Sequence, residues 1–172
     1  LPPAFVGCTN ERQTTLLQAL ATAAQMSNES RLYLQNLPSG SRPTDLRYDE
    51  WFGTYDAANY STVSTNFVAI ESAFTTRTVS FHCDCESSSF AFVYPTRPYE
   101  IHLCKAFWNA AMTGTDSKGG TLVHEMSHFD VVANTDDVVY GQTACRQLAD
   151  IQPQNAIRNA DSHEYFAEAG TP

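Results

Sequence analysis

The sequence predicts an α+β fold, mainly helical with a small antiparallel sheet, and three observations carry that expectation. Apolar residues recur at helical spacing towards both ends of the chain. Three short segments rich in Val, Phe, Tyr and Ile cluster between residues 77 and 104, and no internal repeat or low-complexity tract interrupts the rest. With 172 residues, 42% of them hydrophobic and 17% charged, the chain is read as a single domain, residues 1–172, able to bury a core of its own.

Across residues 9–37, Leu16, Leu17, Leu20, Ala21, Ala24, Leu32 and Leu34 fall mostly three and four apart, with Asn10 and Gln13 as the start signal. One long helix is expected, or two joined near Met26-Ser27-Asn28. Gly40 and Pro43 then break the pattern and predict a loop over 39–43. An aromatic stretch at 48–55 carries Gly53, and residues 61–74 return to a helical rhythm through Val63, Phe67, Ile70 and Phe74. Segments 77–85, 89–94 and 99–104 predict an antiparallel meander. Gly119-Gly120 precede a helix over 121–129 with Thr121 as its cap, and two further helical stretches follow, one of them Gln142–Ile151.

Nineteen acidic against ten basic residues give a net charge of -9, which opposes attraction to nucleic acid or anionic lipid and favours a cationic substrate. No apolar run approaches the length of a membrane span. The start Leu1-Pro2-Pro3-Ala4 lacks both Met and a signal-peptide pattern, so a mature, processed chain is expected. Five cysteines without a CxxC pair point to disulfides and a secreted, extracellular protein. Cys83 and Cys85 must find different partners, with Cys8 and Cys104 available, which leaves Cys145 odd and best read as a small buried apolar residue.

His124-Glu125-Met126-Ser127-His128 is an HExxH motif. Two His four apart on a helix lie on one face, so both imidazoles can reach one Zn²⁺. The ion lowers the pKa of a bound water, and Glu125 is placed to take its proton as general base. In a chain of this composition a chance match is expected on the order of 0.01 times, which makes coincidence a poor account. Catalytic zinc takes three protein ligands and leaves one position open. Val131 and Asn134 exclude the extended pattern with a third His, whereas Glu164 and Glu168 both lie where a later Glu ligand would be.

A nearer third ligand is suggested by Asn134-Thr135-Asp136-Asp137-Val138-Val139-Tyr140-Gly141, which resembles the signature of the aspzincins, the deuterolysin-like metallopeptidases, in its usual shorter form GTxDxxYG. The resemblance implies a zincin-type fold with one zinc ion, Asp137 as the third ligand and Tyr140 as the phenol that stabilises the oxyanion. Asn134 replaces the first Gly, and Asn tolerates the left-handed backbone a Gly would adopt. Asp130 and Asp136 are rivals, but neither has a Tyr three residues on. Trp51-Phe52-Gly53, residues 90–95, 104–110 and 113–129, and Asn159-Ala160-Asp161-Ser162-His163-Glu164-Tyr165-Phe166 are similar to the peptidyl-Lys branch of that family. The mature length is also similar to that of a secreted bacterial exotoxin of the group.

That likeness implies Cys8 to Cys83 and Cys85 to Cys104 disulfides. It also implies that Asp161 and Glu164 bind a substrate Lys on the primed side, and two carboxylates three apart on a helix do share a face. His163 is left as structural or as support behind the ligands. The expected partners are protein or peptide substrates cut before Lys, with Arg as a second candidate, and the chain's own propeptide as inhibitor; nucleic acid and membrane are not expected, and the protein is expected to be a monomer. Two other readings stay open: a broad-specificity deuterolysin-like protease, and a non-catalytic secreted zinc-binding protein. A closed structural zinc site would need four protein ligands, and three are evident.

Overall fold

Thr9, not Asn10 or Gln13, starts the longest helix in the computed structural model, which describes residues 1–170: its side chain accepts from the Arg12 amide. Helix α1 (Asn10–Asn36) runs unbroken. Met26 and Ser27 are buried in its core-facing stripe, and the Ser27 hydroxyl bonds back to Ala23 O, so the polar run 26–28 needs no break. Residues 39–43 are not an open loop but lie within a 3₁₀ helix, Ser39–Thr44, a tight turn that accommodates Pro43. Asp45 caps α2 (Leu46–Phe52) by accepting from the Tyr48 amide. Gly53 ends it at φ 86, where a Cβ would sit 2.1 Å from Ala149 O. Asp56 caps α3 (Ala57–Thr76), which buries Val63, Phe67, Ile70 and Phe74 as their spacing predicts.

The α+β, mainly helical class holds, but the sheet is not an antiparallel meander. Strands β1 (Ala4–Val6), β2 (Ser80–His82), β3 (Ala91–Phe92) and β4 (Glu100–Leu103) lie in the order β1-β2-β4-β3, parallel throughout except for β3 against β4. Strand β4 inserts between β2 and β3, and β1 is too short to show a period in sequence. Both disulfides fit this arrangement: Cys8–Cys83 and Cys85–Cys104 each join residues just past the C-terminal ends of neighbouring strands. Such ends meet only when the strands run the same way. Phe81, Ile101 and Leu103 turn inward to the core.

After α4 (Lys105–Asn109), helix α5 (Lys118–Ser127) begins earlier than expected, capped by Ser117 rather than Thr121. The glycine pair lies inside it. A Cβ at 119 would approach the Thr22 side chain to 2.6 Å, and one at 120 would approach Glu168 Oε2 to 2.2 Å. Close approach of α5 to α1 on one side and to α8 on the other is therefore what the glycines permit. Three helices follow instead of two: α6 (Gln142–Ile151), the single turn α7 (Pro153–Ala156), which begins at a proline, and α8 (Ala160–Ala169). Among the described residues no helix is long and apolar enough to cross a membrane.

Candidate metal centre

Helix α5 is buried along its length and carries His124 and Glu125, with His128 at its end. The two Nε2 atoms lie 3.2 Å apart, and Asp137 Oδ1 lies 3.0 Å from each. A tetrahedral ion with ligand bonds of about 2.0–2.1 Å has donor-to-donor edges of about 3.3–3.4 Å, so this triangle fits one face of such an ion. The tautomers fit as well. Nδ1 of His128 donates to Thr135 O at 2.9 Å, and Nδ1 of His124 faces Asp161 Oδ1 at 2.6 Å, which leaves both Nε2 lone pairs free to bind a metal.

Electrostatics agree with a site built for a cation. Burial alone would raise the Asp137 pKa, but hydrogen bonds from His124 and His128 hold it far below the usual carboxylate range. The Asp161 carboxyl, also opposed by burial, is lowered by His124 and by the Gly141 amide. Burial acts to lower both histidines, yet the carboxylates around them raise both. Burial raises Glu125, whose Oε1 lies 4.0 Å from His124 Nε2. The Tyr140 phenol is pushed up to about 12 by partial burial and the Asp137 carboxylate, so it remains a proton donor.

These residues line one cleft of about 550 Å³, together with 89–93 from around β3, Asp116, Thr121, Gly141, Glu164 and Tyr165. Asp136, one of the rival ligands, pairs outward with Arg158. Asp130 donates its amide to Pro95 O. Glu168 is turned away from the triangle, accepting from the amides of Asp116 and Ser117 and from the Ser117 hydroxyl. Asn134 has φ 50, the left-handed conformation expected of it. A family model described as lysine-specific metallo-endopeptidase, the aspzincins, matches residues 39–168. The chain belongs to the aspzincin family.

Among aspzincin relatives, an extracellular protease of Aeromonas hydrophila is 49% identical over 161 residues, covering 94% of this chain and 45% of that protein. A peptidyl-Lys metalloendopeptidase of Pleurotus ostreatus is 46% identical over 165 residues, covering 95% of each. A zinc peptidase from Grifola frondosa has a solved structure that matches with a TM-score of 0.87 at 42% identity, covering 94% of this chain and 96% of that one. This chain spans about half the length of several relatives, including a peptidyl-Lys metalloendopeptidase of Armillaria mellea of which it covers 46%.

The aspzincin site also contains residues that motif reading passed over. Thr135 O orients His128, and Asp116, at φ 52, accepts from the Tyr165 hydroxyl at the wall of the cleft. Thr135 lies within the signature itself; Asp116 carries no local signal beyond its place in a turn. Asp161 and Glu164 both reach the site, but not as an equal pair. Asp161 is taken up by His124 and Gly141, whereas Glu164 Oε2 stands 3.5 Å from His124 Nδ1 and has no Lys or Arg partner among the described residues. Burial raises the Glu164 pKa well above the usual range. Cys145 is free and fully buried, and His163 is buried between Phe52 and Phe67.

Proposed function

We propose that this chain is a secreted endopeptidase that binds one Zn²⁺ through His124, His128 and Asp137 and cuts peptides on the amino side of Lys, with Arg as a weaker second choice. The observation that carries this reading is the triangle of three donor atoms, 3.0 to 3.2 Å apart, facing a cleft with Glu125 beside it. A zinc ion there supplies Lewis acidity to the scissile carbonyl and to the attacking water. Glu125 accepts the proton of that water and returns it to the leaving amine, and burial lifts its pKa towards the range such an exchange needs. Tyr140 donates its phenolic hydrogen to the oxygen that gains charge. Strand β3 is the edge of the sheet and borders the cleft, so an extended substrate can pair with its free side.

The Lys preference rests on Glu164: its buried carboxyl has no Lys or Arg partner among the described residues, and since burial opposes its ionisation, an arriving ammonium would stabilise the charged form. Asp161 contributes negative field from behind His124. The peptidyl-Lys relatives support the same assignment, and two disulfides support secretion. A propeptide inhibitor and a monomeric state complete the proposal. One observation favours broader specificity as a second reading, namely that Asp161 already has partners on both oxygens. Digestion of a peptide library, read on the primed side with and without chelator, separates these. Cleavage before Lys that stops with chelator and returns with Zn²⁺ is expected; scattered primed-side residues would favour the second reading, and chelator-resistant cleavage would defeat both.

A further inference from the structure

Asn159 occupies the N-cap of α8, a position where Asn ordinarily accepts a hydrogen bond from the first turn of its own helix, yet its side chain makes no such bond. Its Oδ1 instead accepts from the amides of Val138 and Val139 at 3.0 and 3.1 Å. The helix end is satisfied in another way: Ala160 N donates to Asp136 O at 3.0 Å, and Asp136 N donates to Arg158 O at 2.7 Å. Asp137 is thus held on both sides by one short stretch, Asp136 by the backbone around Asn159 and Val138 by its side chain. The side chain is itself fixed, fully buried, with Nδ2 donating to Ser162 Oγ at 3.0 Å and to Cys145 Sγ at 3.4 Å.

The loop is anchored at its ends, by the Thr135 amide on Ser127 O and the Gly141 amide on Asp161, and between them the Asn159 side chain holds the two amides that follow Asp137. Asp137 keeps 40% of its side chain exposed, and Val138 and Tyr140 are also exposed. Resting on the metal-site reading above, we propose that Asn159 is a positioning residue that preorganises Asp137 as third ligand, its Oδ1 acting as a two-amide clamp on the ligand loop. The physical reason is that ordering an exposed loop costs backbone entropy of about 1–2 kcal/mol per residue, and a clamp already in place removes that cost from metal binding. Residues behind the ligands change metal affinity by about 10–100-fold when removed.

The test compares Asn159→Ser with Asn159→Asp. Serine is as good an N-cap as Asn but too short to reach both loop amides, so a capping role would survive it and a clamp would not. Aspartate keeps the acceptor that the two loop amides need, although it gives up the Nδ2 donor that faces Ser162 and Cys145. Hydrogen exchange of the Val138 and Val139 amides is followed in metal-free protein, and Zn²⁺ release to a chromogenic chelator is followed in loaded protein. In Asn159→Ser, selective loss of protection at those two amides and roughly 10–100-fold faster release are expected, with Asn159→Asp restoring both. Wild-type release in Asn159→Ser would overturn the proposal. So would loss of protection spread evenly through α8 and the core without rescue by Asp. If the wild-type protein retains no zinc, the metal reading fails, and the two amides alone then decide the clamp.

Discussion

Asp161 Oδ1 faces His124 Nδ1 at 2.6 Å, on the side of the ring opposite to the nitrogen that meets Asp137. The pair fixes both the tautomer and the tilt of the imidazole, and it ties α8 to α5 across 37 residues of sequence. Asp161→Asn is therefore expected to weaken zinc by about 10–100-fold, read by competition with a chelator. Asp137→Ala, which removes a ligand outright, should weaken it further. Unchanged affinity in Asp161→Asn would return Asp161 to a purely substrate-facing role.

Glu125→Gln keeps the three donor atoms and removes the proton acceptor. Zinc content after dialysis should match the wild type, while kcat falls by about 10²–10⁴-fold. Proteolysis at the wild-type rate in a fully loaded variant would exclude Glu125 as the base.

Glu164→Gln should lower kcat/KM for peptides with Lys after the scissile bond far more than for peptides with a neutral residue there, and leave zinc content unchanged. The charge-assisted pairing of a buried carboxylate with an ammonium has no equivalent in the amide. Parallel assays on matched Lys and norleucine peptides read this out; an unaltered ratio would remove Glu164 from the pocket.

His163 is held neutral in the core, where burial lowers its pKa from 6.5 to about 4 despite a hydrogen bond to Asn159 O. Above its ordinary value, folded and unfolded chains are both unprotonated and the group contributes no pH dependence. As pH falls from about 6.5 towards 4 the unfolded chain takes up a proton that the folded one refuses, so stability declines by about 3 kcal/mol in all. Urea unfolding of metal-free protein across this window should show a shallower loss in His163→Gln. Equal slopes for both proteins would refute the assignment.

The disulfides differ in what they restrain, with a sequence separation of 75 from Cys8 to Cys83 and of 19 from Cys85 to Cys104. On chain entropy alone these are worth about 4.5 and about 3 kcal/mol. Replacing Cys8 and Cys83 by Ser should therefore lower stability by about 1 kcal/mol more than replacing Cys85 and Cys104, measured by denaturant unfolding.

Features that depend on residues close together in the chain are legible without the fold. His124, Glu125 and His128 are placed by the helical repeat alone, and α3 and α6 follow from apolar spacing. The signature around Asp137 and Tyr140 was legible as pattern. Local rules went astray where a distant partner overrode them: the glycine pair reads as a helix breaker, but Thr22 and Glu168 require the missing side chains. Strand direction was likewise decided by which strand inserts beside which, a choice short segments cannot encode. Only the tertiary structure divided Asp161 from Glu164, one bonded closely to His124 and the Gly141 amide, the other at 3.5 Å from the same ring and without a Lys or Arg partner among the described residues. It alone diverted Asn159 from its own helix to the loop. The physical reason is range: backbone hydrogen bonds of a helix reach four residues, whereas the partners of a buried polar group are set by whatever the fold packs against it.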